Sequence, residues 1–242
     1  SLKRRHTRME SGRFVQMFAL GGALILAGEA LPEALATYQP YKVPALATTQ
    51  NLEAEGFERI LKQGRNGTFS KAGWNHYGPG YFELDRNTGI LSSSGGMGLF
   101  WYAAEEFGNF VLDLEFMSEV QNANSGVFVR VPGLPTSDAY IYNSWEVQIY
   151  DSGDGIHQTG AVYDAEAPTR MASKGPGQWN RMRITFVDDH ISVEINDEKI
   201  VDWDAEPRGK VESFAASGYI GLQNHDHDTK TMFRNIFVKS ID

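Results

Sequence analysis

The chain has 242 residues, no cysteine and a formal net charge of -9. Its 41% hydrophobic and 22% charged residues are ordinary values for a folded globular domain, so disordered and fibrous classes are excluded. The lack of cysteine excludes disulfides, thiol nucleophiles and cysteine metal sites. The acidic charge argues against a nucleic-acid partner, which normally needs a basic face.

The first 36 residues differ in character from the rest of the chain. Basic residues lead into an apolar run over residues 14–31, and small residues follow at Ala34 and Ala36. This order is typical of an export signal. The run is also just long enough for a membrane anchor whose N-terminus stays in the cytoplasm. We therefore expect an exported protein, periplasmic or at the cell envelope, with residues 1–36 either cleaved or retained as an anchor; a soluble helix is the third alternative.

Residues 37–56 contain two prolines and show no hydrophobic period, so they are predicted to be a linker. Residues 57–242 consist of short alternating segments separated by glycine, asparagine and aspartate. The clearest case is residues 183–195, where two alternating runs flank Asp188 and Asp189 as in a β-hairpin. No stretch after residue 60 has a convincing helical period. The prediction is an all-β domain, an antiparallel β-sandwich of the jelly-roll type.

Three of the predicted strands share one pattern. Successive side chains of a strand point to opposite faces. In residues 124–130, 145–150 and 219–225, one face carries mainly aliphatic side chains and the other carries polar and aromatic ones. If these strands are neighbours, the polar face gathers Arg130, Glu146, Gln148, Gln223 and His225. Such planar polar groups beside aromatic rings suit sugar hydroxyls and C–H faces, whereas a solvated sheet face is the alternative interpretation.

Six short motifs occur in a characteristic order along these segments. They include NSGVFVR at residues 124–130, WEVQIYD at 145–151 and GYIGLQNH at 218–225, with three shorter motifs at 159–163, 177–180 and 233–236. Over residues 57–241 the chain resembles the 3-keto-disaccharide hydrolase (3-keto-glucoside hydrolase or lyase) domain family. The resemblance implies a concanavalin A-like jelly roll.

The resemblance also implies a chemistry, namely cleavage of a glycoside whose sugar is already oxidised at C3, unless this is a non-catalytic member of the family. A ketone at C3 acidifies the C2 proton, so a base can remove it and the C1 substituent can leave. At the matching positions the implied catalytic residues are Glu146 and His225, one as the base and one as the acid, in either order. The implied sugar-binding residues are Asn124, Arg130, Gln148, Tyr163 and Gln223. A bound divalent metal ion is compatible with the role of electrophile, and no metal ligands are assigned.

A second hypothesis belongs to a different class. The domain would be a non-catalytic extrinsic subunit of a membrane protein complex, for example a respiratory or photosynthetic one, tethered to the membrane through residues 1–50. The apolar leader, the proline-containing linker and the acidic body, which suits a basic partner, favour it. Turnover of a 3-keto-glucoside distinguishes the two hypotheses.

Overall fold

The computed structural model describes residues 49–241, and the first element is a short helix, α1 (Thr49–Ala54). The predicted signal or anchor at residues 1–36, like most of the predicted linker, lies outside the described residues. The membrane-complex hypothesis depends on residues 1–50 and therefore stays a prediction. Leu52 of α1 packs with Phe57 and Phe237 in a small apolar cluster, so this end of the predicted linker is attached to the domain. Within residues 49–241 no helix combines the length and the apolar character that crossing a membrane requires.

Two antiparallel sheets make up the domain. The larger sheet has the spatial order β11 (Glu198–Asp204), β10 (His190–Ile195), β9 (Asn180–Val187), β6 (Phe110–Ser118), β13 (Thr231–Ser240), β4 (Ile90–Ser94) and β3 (Tyr81–Asp85), with β1 (Glu58–Arg59) also paired to β13. The smaller sheet has the order β2 (Trp74–Tyr77), β5 (Gly98–Tyr102), β12 (Tyr219–Asn224), β7 (Ser125–Val131) and β8 (Trp145–Ile149). A four-residue helix, α2 (Tyr140–Asn143), lies between β7 and β8.

The inner faces of the two sheets form one hydrophobic core. In β9 buried and partly buried residues alternate without a break, and its buried residues Ile184 and Phe186 belong to the same cluster as Val127, Val147 and Leu222 of the smaller sheet. Each such aliphatic or aromatic side chain contributes about 1.5–3 kcal/mol when it leaves water. This packing confirms the predicted antiparallel jelly-roll sandwich.

Turn chemistry sets the register of the predicted hairpins. Val187 pairs with His190 across a two-residue turn in which Asp188 has a φ of 50°. The next hairpin turns at Asn196 and Asp197, with φ values of 54° and 66°. Two positive φ values define the type I′ turn, which asparagine and aspartate tolerate better than most residues. The predicted hairpin at residues 183–195 is therefore present, and a second hairpin follows it directly.

Candidate functional site

A cavity of about 390 Å³ lies on the outer face of the smaller sheet. It lies over strands β12, β7 and β8, which are neighbours, as the period-of-two argument requires. The cavity is lined by six of the seven predicted site residues: Asn124, Glu146, Gln148, Tyr163, Gln223 and His225.

The glycine of the NSGVFVR motif makes room for the buried carboxyl of this site. Glu146 lies opposite Phe128, and its side chain crosses the neighbouring Gly126. A Cβ at Gly126 would lie 2.3 Å from Glu146 Oε1, which is closer than real atoms approach. Any larger residue at position 126 would displace the carboxyl from the cavity.

Arg130 is the exception, and the prediction for its position is wrong. Between β12 and β7 the register shifts, so that two residues of β12 span the same length as three residues of β7. This is a β-bulge, and Arg130 adopts a left-handed φ of 53° within it. The bulge interrupts the alternation: Phe128 and Val131 both join the apolar cluster on the outer face. The Arg130 side chain consequently leaves the cavity face.

The guanidinium of Arg130 joins elements at the edge of the sandwich. It is 1% exposed, donates from Nε to Gly108 O at 3.0 Å and from Nη1 to Asp188 O at 2.7 Å. Its Cζ lies 3.6 Å from the ring centroid of Phe186. These contacts make Arg130 a structural residue of the turn and core.

Glu146 forms a buried ion pair with a residue that the sequence patterns did not single out. Lys210, on the connection after β11, donates from Nζ to Glu146 Oε2 at 2.9 Å, and the carboxyl side chain is 3% exposed. Burial raises the pKa of Glu146 above the ordinary value of a glutamate. The charge and hydrogen bond of Lys210, the charge of His225 and a hydrogen bond from Gln223 lower the pKa, but they offset the effect of burial only in part. The carboxyl of Glu146 and the amine of Lys210 therefore lie within hydrogen-bond distance of each other at a buried position of the cavity.

The aromatic ring of Tyr163 packs against the ammonium of Lys210. Its backbone N–H donates to Glu146 O at 2.8 Å, which places the phenol ring beside β8. The ammonium of Lys210 lies 4.1 Å from the centroid of this ring, within the range of a cation–π contact. Burial, together with the nearby charges of Glu146 and Asp164, raises the pKa of the Tyr163 phenol, so the ring stays neutral and can donate a hydrogen bond.

His225 forms a second titratable pair with its chain neighbour. His225 Nδ1 lies 2.7 Å from Asp226 Oδ1. The other oxygen, Oδ2, accepts from the backbone N–H of Asn124 at 2.8 Å and from the hydroxyl of Thr229. Burial alone would raise the pKa of Asp226, but the hydrogen bonds from Thr229, His225 and Asn124 together lower it. A carboxylate only accepts, so Nδ1 of a neutral His225 carries the proton and Nε2 keeps its lone pair.

Two amide groups in the cavity have free acceptors. Gln148 and Gln223 are 2% and 5% exposed, and the side-chain oxygen of each is buried with no hydrogen-bond partner among the described residues. Most buried polar atoms have a partner. The two oxygens are therefore suited to accept hydrogen bonds from the hydroxyl groups of a ligand.

The remaining lining residues come from loops and from α2, where hydrophobic periodicity gives no signal. They are Met97, Ile141, Tyr142, Asp164 and Lys210. Lys210 follows Gly209, which has a φ of 59° and whose added Cβ would lie 2.0 Å from Asp164 O. Within the connection after β11, the glycine that precedes Lys210 is the one local sequence feature that indicates this close backbone contact. Asp226 adjoins His225 in the sequence, but their pairing depends on the turn after β12.

The donor set of the cavity does not fit a divalent metal ion. Its one deeply buried carboxylate, Glu146, is already paired with the ammonium of Lys210, whose charge would repel a cation. Within residues 49–241 no three histidine, cysteine, aspartate or glutamate side chains are close enough together to hold a metal.

The fold and this cavity define a jelly-roll domain with a polar cavity on its smaller sheet, and comparison with known families agrees with the fold. The 3-keto-alpha-glucoside-1,2-lyase-like domain family matches residues 62–239, and the chain belongs to that family. The family resemblance predicted from the motifs is confirmed.

Solved structures share the architecture. A Parabacteroides distasonis protein provisionally described as a glycosyl hydrolase is 28% identical, with a TM-score of 0.61 over 76% of this chain and 99% of that chain. A second such protein from the same organism is 19% identical, with a TM-score of 0.66 over 80% and 97%. A Bacillus subtilis protein with a galectin-like fold is 14% identical, with a TM-score of 0.51 over 76% and 94%. A comparison with functionally curated proteins gave no match.

Proposed function

We propose that this domain cleaves glycosides whose sugar carries a ketone at C3, by elimination across C1 and C2 in the cavity. One observation carries the proposal. His225, whose ring is held by Asp226, and the Glu146–Lys210 pair line the same cavity as Gln148 and Gln223, whose buried amide oxygens have no partner among the described residues. Membership of the 3-keto-alpha-glucoside-1,2-lyase-like family and the glycosyl hydrolase description of the 28% identical relative support a glycoside as the substrate.

His225 is the base in this proposal. Asp226 holds the proton on Nδ1, so Nε2 takes the proton from C2 of the bound sugar. The electron pair of the broken C–H bond forms the second bond between C2 and C3, and the π electrons of the ketone move to its oxygen, which becomes an enolate oxygen. Asp226 acts through His225: it fixes the tautomer and stabilises the imidazolium that forms.

The Glu146–Lys210 pair handles the charge and the second proton. The ammonium of Lys210 donates a hydrogen bond to the enolate oxygen, in a cavity where burial strengthens the interaction. The enolate then collapses, the C1–O bond breaks and a C1–C2 double bond forms. The leaving oxygen takes the proton that the pair shares: Glu146 passes on a proton from the Lys210 ammonium, which becomes a neutral amine, and the raised pKa of Glu146 favours its transient protonation. His225 has by then taken one proton from C2, so the net charge of the site is unchanged. Water added to the enone completes the hydrolysis.

Kinetics with a 3-keto-glucoside test the proposal. We expect turnover by the wild-type protein and a loss of about 100-fold or more in His225→Ala and Glu146→Gln, the size typical of a missing general base or acid. His76→Ala, an exposed histidine outside the cavity, is the matched control and keeps full activity. Full turnover in both cavity variants would refute the assignment of the catalytic residues.

A further inference from the structure

The cavity has two chemically different sides. Glu146 and Gln148 lie on β8, at one edge of the smaller sheet, and Lys210 joins them there. Met97 directly precedes β5, and the strands β12 and β7 separate β5 from β8. At about 4.8 Å per strand, the two sides lie roughly 14 Å apart. A ligand that fills the cavity therefore meets polar groups at one end and Met97 at the other.

Three less polar side chains also line the cavity, and together they are called the wall: Met97, Ile141 and Tyr142. Behind it, Tyr140 of α2 packs edge-on against Tyr77 of β2, with their ring centroids 6.2 Å apart. Residue 78 in turn packs against the backbone of Met97, since a Cβ there would lie 2.7 Å from Met97 O. The wall therefore joins α2 to the segment before β5.

The wall is open to solvent, which is unusual for side chains of this type. Tyr142 is 58% exposed and Met97 is 37% exposed. Exposed apolar side chains that adjoin one another beside a cavity mark a binding surface more often than scattered ones do. Met97 lies at the end of the cavity remote from the Glu146–Lys210 pair, so a ligand that fills the cavity meets this part of the wall there.

We infer that the group leaving from C1 is an aromatic alcohol, so that the substrates are aryl 3-keto-glycosides; this rests on the proposed function above. The sugar ring, rich in hydroxyls, matches the polar side with its free amide oxygens. A second sugar as leaving group would need hydrogen-bond partners, and the three wall side chains carry a single hydroxyl. A thioether and an aromatic ring instead make favourable contacts with an aromatic group.

Rates for two substrates in two proteins isolate this contact. The substrates are phenyl 3-keto-glucoside and a 3-keto-disaccharide of the same anomeric configuration. The two leaving groups differ in intrinsic reactivity, but this difference is the same in both proteins. It therefore cancels when, for each substrate, kcat/KM of Tyr142→Ala is divided by kcat/KM of the wild type. We expect kcat/KM for the phenyl substrate to fall about fivefold and that for the disaccharide by less than about twofold.

Two further proteins make the result specific. Met97→Ala should repeat the selective loss of rate on the phenyl substrate. Leu134→Ala removes another exposed apolar side chain, one outside the cavity, and should change neither rate. Equal losses on both substrates, or a loss on the disaccharide alone, would overturn the inference. Absence of wild-type turnover on both substrates would instead refute the proposed function, and the inference with it.

Discussion

Replacing Arg130 by methionine separates a structural role from a catalytic one. Methionine keeps an unbranched side chain of similar length but has no donors for Gly108 O and Asp188 O, which accept from the guanidinium at 3.0 and 2.7 Å. It also removes the charge that lies 3.6 Å from the ring centroid of Phe186. The cavity loses nothing, because Arg130 does not line it.

The expected cost follows from these contacts. Leaving a buried acceptor without its partner costs about 1–3 kcal/mol, and a desolvated cation–π contact contributes about 1–2 kcal/mol. Because water can reach the turn at Asp188, the lower part of each range applies. We therefore expect Arg130→Met to lower the free energy of unfolding by about 3–4 kcal/mol. For a domain of this size that lowers Tm by roughly 6–16 °C.

Thermal unfolding and kinetics together check this prediction. Arg130→Met should melt at a lower temperature than the wild type, while kcat/KM per folded molecule, measured well below the new Tm, stays within about twofold. Arg65→Met, at an exposed position, is the control and should leave both quantities unchanged. An Arg130→Met protein with an unaltered Tm and no turnover would show that Arg130 belongs to the site and that the bulge argument is mistaken.

Three other predictions concern charge and backbone. Lys210→Met leaves the buried carboxyl of Glu146 unpaired and so raises its pKa further. We expect the free energy of unfolding, measured with denaturant, to fall by about 3 kcal/mol at pH 8 and by less at pH 5. Adding Glu146→Gln to Lys210→Met should restore stability. Hydrogen bonds to its two aspartate partners raise the pKa of His190. The stability that protonated His190 adds to the folded state is therefore full below the unfolded pKa of about 6.5 and disappears as pH rises through the folded pKa. The Tm difference between wild type and His190→Gln should shrink from about pH 5 to pH 9, and a constant difference would contradict this. Gly209→Ala would place a Cβ 2.0 Å from Asp164 O, so it should displace Lys210 and lower kcat/KM by about tenfold or more while the circular dichroism spectrum is retained.

The fold follows from local patterns in the sequence because each pattern has a direct physical cause. The alternation in β9 reflects a strand with one face in the core. The Asn196–Asp197 dipeptide tolerates the positive φ values of a tight hairpin. Neither depends on distant parts of the chain, so both can be interpreted without the structure.

The candidate site could be predicted only where its residues lie on regular strands. Glu146, Gln148 and Gln223 share a face because β8 and β12 keep the period of two. Arg130 breaks this rule because one extra residue in a bulge reverses the side of the sheet to which a side chain points. Lys210 comes from a loop, whose path depends on tertiary contacts that no short sequence pattern encodes.

The fate of the hydrogen at C2 tests the elimination most directly. A 3-keto-glucoside carrying deuterium at C2 would be incubated with the protein in ordinary water, and the sugar product examined by mass spectrometry. We predict that wild-type cleavage removes the label from C2 with a primary isotope effect on the rate, and that His225→Ala releases neither label nor leaving group at a comparable rate. Cleavage that leaves the deuterium in place would mean direct hydrolysis at C1 and would rule out the proposed elimination.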